Sequence, residues 1–372
     1  MEAESRKARF RSIELRLEGI TKRFGQMTAV DSIDLVVRPG KLTALLGPSG
    51  CGKSTTLRMI AGFEAPDAGR VLLDGRDVVA VPPSKRNLGM VFQDYSLFPH
   101  MTVMGNVSFG LRMAERPRGE IEQRVKDVLG LVKLDGLEDR YPNQLSGGQQ
   151  QRTALARSLV MRPSILLLDE PLGALDKNLR EIMQFELRRI QQELGITTVL
   201  VTHDQEEALT LADEIVVMNK GRILQIGSPH EVYEFPTTQF VSEFLGTANA
   251  LDVQVVEALA DGRCRAKLDS AECDCRIEIR KPSDSQKFRI GIRPEKMSIS
   301  REKPENNSNY IPGIIDGLVF RGIYIAYSII ITDYDGKIFV YEQSVSRNKD
   351  MKFSSGERVW ISWDAEASFT LN

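Results

Sequence analysis

The stretch that most restricts this chain is 47–54, GPSGCGKS, which fits the spacing G-x-x-x-x-G-K-[ST]. It lies between KLTALLG (41–47), a short apolar run ending in glycine, and KSTTLRMIAG (53–62), which reads as a helix. Gly47, Gly50 and Gly52 let the backbone curl until its N–H groups face one point, an arrangement suited to phosphate oxygens. In that setting Lys53 reaches the outer phosphates, Ser54 offers an oxygen to Mg2+, and Thr55 continues the cradle. Pro48, Ser49 and Cys51 complete the loop and are assigned to the same nucleotide contact. The alternative is a chance glycine-rich turn, and the strand–loop–helix context argues against it.

A strand that feeds such a loop belongs to a sheet, and later apolar runs supply the neighbours. SILLLDEP (164–171) is a run of aliphatics flanked by proline, as expected of a strand buried on both faces. ITTVLVTHD (196–204) and EIVVMNKGRILQIG (214–227) are similar. Strands alternating with helices predict a mostly parallel sheet. Between 95 and 163 the pattern turns mainly helical. There GEIEQRVKDVLGLVKL (119–134) spaces Ile121, Val125, Val128, Leu129 and Val132 along one face, which predicts a helical subdomain inserted in the α/β core.

After FVSEFLGTANAL (240–251) short alternating runs replace the helices: LDVQVVEAL, CRIEIRK, FRIGIRP, GIIDGLVFRG, YSIIITDYDGKIFVYE and RVWISW. Asp335-Gly336 between two such runs predicts a type I′ hairpin, and SREKPENNSNY (300–310) reads as a polar linker. The expected division is an α/β domain over 12–244 and an all-β domain over 245–372, a small barrel or a pair of them.

Two further motifs carry chemistry. Asp169 ends a hydrophobic strand, where open α/β sheets place their ligands, and would hold Mg2+. Glu170 points elsewhere because strand side chains alternate, and it is placed to orient and deprotonate a water beside the terminal phosphate. Taken alone, an Asp-Glu pair after a strand is a solvated turn. LSGGQQQR (145–152) sets a serine and two glycines ahead of good helix formers, so a second helix N-terminus is offered to an anion. One chain thus carries two loops suited to one nucleotide's phosphates.

The bulk numbers exclude several classes. Lys plus Arg total 49 against 51 for Asp plus Glu in 372 residues, a balance that does not suggest a nucleic-acid binder. The opening MEAESRKARF is charged and lacks an apolar centre, so it is not read as a secretory signal. No apolar run approaches the roughly 18 residues needed to span a bilayer. Cys51, Cys264, Cys273 and Cys275 form no zinc spacing, and a reduced, cytosolic compartment is the default. NVS (106–108) and NNS (306–308) are read as chance matches to the glycosylation pattern.

Taken together, these residues resemble the ATP-binding subunit of ABC importers, an α/β P-loop NTPase cassette with a helical subdomain. Phe24, GPSGCGKST, Gln93, LSGGQ (145–149), ILLLDEP, ALD (174–176) and His203 in VTHD follow the family's order and spacing. The resemblance implies that Phe24 stacks on adenine. It implies that Gln93 touches Mg2+ and the attacking water, in a loop that faces the membrane partner. His203 would bond the γ-phosphate and hold the water with Glu170, and Asp176 lies in a loop that crosses to the other subunit. Without the resemblance, Phe24 reads as a buried aromatic, Gln93 as a surface glutamine and His203 as a structural histidine. His100 and His230 match no element of the set.

The family also explains the two loops. Two cassettes face head to tail, and Ser146, Gly147, Gly148 and Gln149 of one close on the γ-phosphate held by the other, in a two-fold dimer. Hydrolysis then removes the charge that the second loop binds. The implied cofactors are ATP and Mg2+. The implied partners are a second copy of the chain, two membrane-spanning permease subunits and, indirectly, a solute-binding protein, with the chain peripheral on the cytoplasmic face of the membrane.

The tail resembles the C-terminal OB-like, TOBE-type barrel domain of importer ATPases for polyamines, iron(III), sugars and sulfate, through FLGTANAL (244–251) and GIRPEKMSI (291–299). VFQDYSLFPHMTVMGNVSFGLRM (91–113), VTHDQEEAL and RVWISWDAEASFTL are closest to spermidine/putrescine importer ATPases. Iron(III) and sugars stay open as alternatives, because such an ATPase touches no transported solute. A soluble ABC ATPase acting on nucleic acid or ribosomes is the reading from another class. Such chains usually join two cassettes or carry long coiled-coil insertions, whereas this one has a single cassette and no long heptad stretch.

Overall fold

The computed structural model describes residues 10–259, 263–269, 277–280, 286–304, 309–344 and 352–371. Cys273, Cys275 and the NNS match at 306–308 lie outside them. The chain divides into two units, Met1–Pro229 and His230–Asn372, so the junction expected at 244/245 falls inside the second unit.

The first unit contains β1 (Leu15–Phe24), β2 (Met27–Val37), β3 (Leu42–Leu46), β4 (Ala68–Leu73), β5 (Arg76–Asp77), β6 (Leu88–Val91), β7 (Ile165–Asp169), β8 (Thr197–Thr202), β9 (Glu214–Asn219) and β10 (Arg222–Gly227). Its helices are α1 (Lys53–Ala61), α2 (Val103–Met113), α3 (Arg118–Leu131), α4 (Gly147–Leu159), α5 (Lys177–Leu194) and α6 (Gln205–Leu211). An antiparallel sheet of order β2-β1-β4-β5, built from segments on either side of β3 and the 47–55 loop, was not among the strands expected from the sequence. Its signal is an alternation of period two: Leu15, Leu17, Ile33, Leu35 and Val37 are buried, while Arg16, Asp34 and Val36 face out.

The second sheet has the order β10-β9-β3-β8-β7-β6 and is parallel except for the β9–β10 hairpin. Strands covered on both faces need continuous apolar sequence, and β3 and β8 are buried at every position. The hairpin turns on Lys220 and Gly221, both left-handed, as a two-residue type I′ turn requires. Parallel pairing sets Leu46 beside Thr202 and Asp169 beside Val201. The loops that leave β3, β7 and β8 therefore emerge side by side.

Helices α2, α3 and α4 form the predicted helical insertion. Val125, Val128, Leu129 and Val132 are buried, and Ile121 is half-buried. Asn106 of the NVS match is fully buried. Its side chain accepts from Phe98 N and donates to the carbonyls of Phe98, Met101 and Thr102, so it shapes the loop before α2.

The division falls one residue into α7 (Pro229–Glu234), and α8 (Gln239–Phe244) follows in the second unit. Its strands are β11 (Asn249–Ala258), β12 (Arg263–Leu268), β13 (Ile277–Arg280), β14 (Lys287–Ile292), β15 (Met297–Ser300), β16 (Asn309–Phe320), β17 (Tyr324–Ile331), β18 (Lys337–Gln343), β19 (Arg358–Trp363) and β20 (Ser368–Leu371). They form two curled antiparallel sheets, β13-β12-β11-β14-β20 and β15-β19-β16-β17-β18, over one apolar core that includes Leu251, Ile290, Ile311 and Ile361. The two halves repeat: β16, β17, β18 and β19 follow one another as β11, β12, β13 and β14 do. The halves exchange their last strands. β15 follows β14 but pairs with β19, and β20 follows β19 but pairs with β14.

One asparagine at the start of each half bridges to the other. Asn249 donates to Phe339 O and accepts from Phe339 N, both at 2.7 Å. Asn309 bonds Glu278 in the same way, at 3.0 and 2.7 Å. Arg293 is buried beneath the helices, and its guanidinium donates to the carbonyls of Ser242, Gly246, Thr247 and Tyr233.

The β17–β18 hairpin exists, but its turn differs from the expected type I′ at Asp335-Gly336. The strands close at Ile330↔Lys337, and Asp333 carries the left-handed φ of 56°. Gly336 is there for space: a Cβ would meet the Tyr334 ring at 2.7 Å. That ring is fixed because its hydroxyl accepts from Asp252 N.

Candidate active site

The 47–55 loop joins the end of β3 to the start of α1. Gly50 and Gly52 are left-handed, with φ of 79° and 104°. At Gly52 a Cβ would also meet the Ala29 carbonyl oxygen at 2.4 Å, and at Gly47 it would meet the Met218 carbonyl oxygen at 2.3 Å. No side chain fits at either position, so the loop backbone stays bare toward a ligand. The Lys53 ammonium is buried within the curl and donates to Gly47 O at 2.7 Å and Pro48 O at 2.9 Å. Burial pushes the Cys51 thiol up, which makes it a packing group rather than a nucleophile.

Ser54 donates to Asp169 Oδ1 at 3.1 Å, which brings two of the three expected metal ligands together. Burial pushes the Asp169 carboxyl up, the Ser54 hydrogen bond pulls it down, and nearby Glu170 adds to the rise. Among the described residues no cluster of three or more His, Cys, Asp and Glu could hold a metal alone. A hydroxyl and a carboxylate beside a phosphate cradle suit a hard cation that takes its other oxygens from phosphate and water. The residues present therefore fit Mg2+.

Glu170 lies just past the strand, and its orientation does not come from strand alternation. Its φ is 45°, a left-handed conformation uncommon for a non-glycine residue, and its N–H is held by Val201 O at 2.9 Å. The turn aims the carboxylate at two partners. Gln93 Nε2 donates to Oε2 at 3.2 Å, and His203 Nδ1 lies 3.1 Å from Oε1. Two residues 110 positions apart in sequence, Gln93 and His203, are thus brought to one carboxylate. Phe24 is at the end of β1, half exposed, with the Lys22 ammonium 5.3 Å from its ring centre.

Ser146 and Gln149 form a capping box at the start of α4. Ser146 Oγ accepts from Gln149 N, and Gln149 Oε1 accepts from Ser146 N at 2.9 Å. Added Cβ atoms on Gly147 and Gly148 would meet Leu175 and Leu179 at 3.2 Å. No hydrogen bond joins 146–149 to 47–55 among the described residues. Asp176 caps α5 by accepting from Leu179 N at 3.0 Å. His100 and His230 are exposed and take no part.

Two arginines were not singled out from the sequence. Arg157, in α4, donates to Tyr95 O and Ser96 O, tying the loop after Gln93 to the helix that Ser146 caps. Arg180 donates to Asp204 at 2.9 Å, beside His203. Both bond through carbonyls or carboxylates distant in sequence, which no local spacing reveals.

Comparison with known proteins agrees with this geometry. Residues 30–173 match the ABC transporter family model, and residues 290–371 match the TOBE domain. The chain is 49% identical over 362 residues to the spermidine/putrescine import ATP-binding protein PotA of Thermobifida fusca (strain YX), covering 97% of this chain and 93% of that one. It is 42% identical over 373 residues to the putrescine transport ATP-binding protein PotG of Escherichia coli (strain K12), covering 100% and 97%. Among solved structures, cbiO1 from Clostridium perfringens, part of the ABC transporter complex cbiONQ, aligns with a TM-score of 0.55 and 32% identity, covering 62% of this chain and 92% of that one. No helix among the described residues is long and apolar enough to cross a membrane. A phosphate cradle, an aimed carboxylate and near full-length likeness converge on one conclusion: the chain belongs to the ABC transporter family, as one of its ATP-hydrolysing, ATP-binding proteins.

Proposed function

We propose that this protein powers the import of polyamines of the spermidine/putrescine type through separate membrane-spanning permease subunits, from the cytoplasmic face of the membrane. The observation that carries the reading is the meeting of Gln93 and His203 on Glu170 beside the 47–55 loop, within 3.2 Å, in a chain so similar to proteins named for polyamine import. The cassette over 12–244 does the chemistry, and 245–372 is an accessory β domain.

Phosphates of ATP take the N–H groups of 47–55, and Lys53 trades its two loop carbonyls for phosphate oxygens. Phe24 offers its ring to adenine. Ser54, Asp169 and Gln93 would hold Mg2+, which neutralises phosphate charge. Glu170 accepts the proton of the attacking water, its two oxygens already aimed by Gln93 and His203. His203 and Gln93 keep that water in line. Ser146, Gly147, Gly148 and Gln149 serve the γ-phosphate on a second copy, and Asp176 sits in the loop that crosses to it. That no hydrogen bond joins 146–149 to 47–55 among the described residues supports this division. A solute-binding protein delivers cargo to the permeases.

Mixed dimers test the arrangement. Lys53→Ala damages the cradle, and Ser146→Arg puts a bulky cation in the closing loop. If the loops act across the dimer, mixing the two restores one whole site. With Glu170→Gln in both chains to stop turnover, verified mixed dimers should occlude one ATP. Occlusion of none overturns the two-copy reading. Loss of the gene should abolish spermidine or putrescine uptake; intact polyamine uptake with failed iron(III) or sugar uptake would overturn the solute.

A further inference from the structure

The turn that carries His203 is closed by a ring of hydrogen bonds that the roles above do not use. Thr202 ends β8 and Glu207 lies in the first turn of α6, both buried. The Thr202 hydroxyl donates to Glu207 Oε2 and accepts from Asp204 N at 2.9 Å. The Glu207 N–H in turn donates to Asp204 Oδ1 at 3.2 Å. On the far side, Arg180 donates to Asp204 Oδ2 at 2.9 Å and to Leu175 O at 3.1 Å, next to Asp176.

His203 is the single residue between Thr202 and Asp204, and its side chain is 57% exposed. Packing therefore does little to hold the imidazole near Glu170, and the backbone on either side must set its position. Glu207 grips both flanking residues, one through its carboxylate and one through its N–H.

Packing alone does not explain a carboxyl at this place. Glu207 Oε1 is buried and makes no hydrogen bond among the described residues. Methionine or leucine would fill a similar volume without that cost. The carboxyl is accounted for by its other oxygen, which holds Thr202. Burial pushes the Glu207 carboxyl up to about 7, against the pull of the Thr202 hydrogen bond and the Arg180 charge. In its neutral form the group accepts the Thr202 hydroxyl through an oxygen that a glutamine amide can reproduce.

We propose that Glu207 is a positioning residue for ATP hydrolysis: through the Thr202 hydroxyl it fixes the 202–204 turn and so holds His203 against Glu170. The inference rests on the proposed roles of Glu170 and His203. Arg180 connects the same turn to the loop that leads into Asp176.

Steady-state ATPase kinetics of the full-length chain with Mg-ATP test it, using Glu207→Met, Glu207→Gln, Thr202→Val and His203→Ala. Glu207→Met keeps the volume and removes the acceptor, and Thr202→Val removes the hydroxyl. Each should lower kcat by roughly 10- to 100-fold, with KM for ATP within about 3-fold, because misplacing a reacting group by about 1 Å costs about that much. Glu207→Gln should recover kcat to within about 3-fold, since it keeps an acceptor for Thr202. A role limited to folding would not separate Gln from Met, nor kcat from KM. Wild-type turnover by Glu207→Met, or equal losses in Met and Gln, overturns the inference. If His203→Ala turns over normally, the underlying site reading fails as well. If His203→Ala is inactive while Glu207→Met is normal, the inference alone fails.

Discussion

Replacing Arg293 should unfasten the second unit from within. The guanidinium is fully buried and donates to four carbonyls, at 2.9 Å to Ser242, 3.0 Å to Tyr233, 3.1 Å to Gly246 and 3.3 Å to Thr247. It also lies over the Tyr233 ring, 4.3 Å from its centre. Burial lowers the Arg293 pKa, so part of the bonding is spent against desolvation. Arg293→Met fills much of the space but leaves four carbonyls without their donor. Stranding buried polar groups in this way costs about 3–5 kcal/mol, which for a unit of this size lowers Tm by roughly 10–15 °C. Arg293→Lys should fall between the two, because one ammonium cannot fork to four acceptors. Both tryptophans of the chain, Trp360 and Trp363, lie in β19, so tryptophan fluorescence reports unfolding of this unit. Hydrogen exchange at 233–247 should speed up in the same variant. A methionine variant within about 1 kcal/mol of wild type would refute the clamp, since the stranded carbonyls alone should cost more than that.

Other expectations follow from the first unit. Gly52→Ala meets both a left-handed φ and the Ala29 carbonyl, so it should lower stability by about 1–3 kcal/mol and weaken ATP binding in a calorimetric titration; normal affinity would count against the cradle. Lys53→Ala should weaken nucleotide binding itself, and an unchanged Kd for ATP would contradict its assignment. Glu207 gives a pH effect of defined sign. Its carboxyl titrates near 4.5 when unfolded and about 7 when folded, so wild-type stability falls as pH rises between those values and then levels off. The full loss is about 3 kcal/mol, and Glu207→Gln lacks it. Urea midpoints followed by far-UV circular dichroism should agree below pH 5, with the variant more stable above pH 7. Parallel pH profiles would show that burial does not raise this carboxyl.

The legible parts of the molecule were those in which neighbours in sequence do the work. The glycines of 47–54, the aliphatic runs of β3, β7 and β8 and the helical face from Val125 to Val132 announce themselves through local spacing. The antiparallel sheet of β1, β2, β4 and β5 carried a period-two pattern as well, but charged outward residues and bulges at 17–23 broke it into short pieces. The Glu170 backbone illustrates a different limit: alternation along β7 could not foresee a left-handed turn that begins where the strand stops. Arg157, Arg180 and Arg293 act through carbonyls or carboxylates mostly far along the chain, and only the folded topology reveals such partners. At Gly336 the residue type was a correct sign of a tight hairpin, but the reason was steric, set by a tyrosine two residues away.

The exchanged strands of the second unit also bear on its synthesis. A chain leaves the ribosome N-terminus first, so β11 to β14 are available early, while β20 must wait until everything through Leu371 has emerged. At about 5–20 residues per second, the edge of β14 that β20 covers stays open for roughly 4–15 s. An open edge is a template for pairing with other chains. For that interval the nascent first half depends on dilution, chaperones or its own charged flanks to stay single. The exchange that binds the halves together in the finished protein thus makes its assembly a process that cannot finish early.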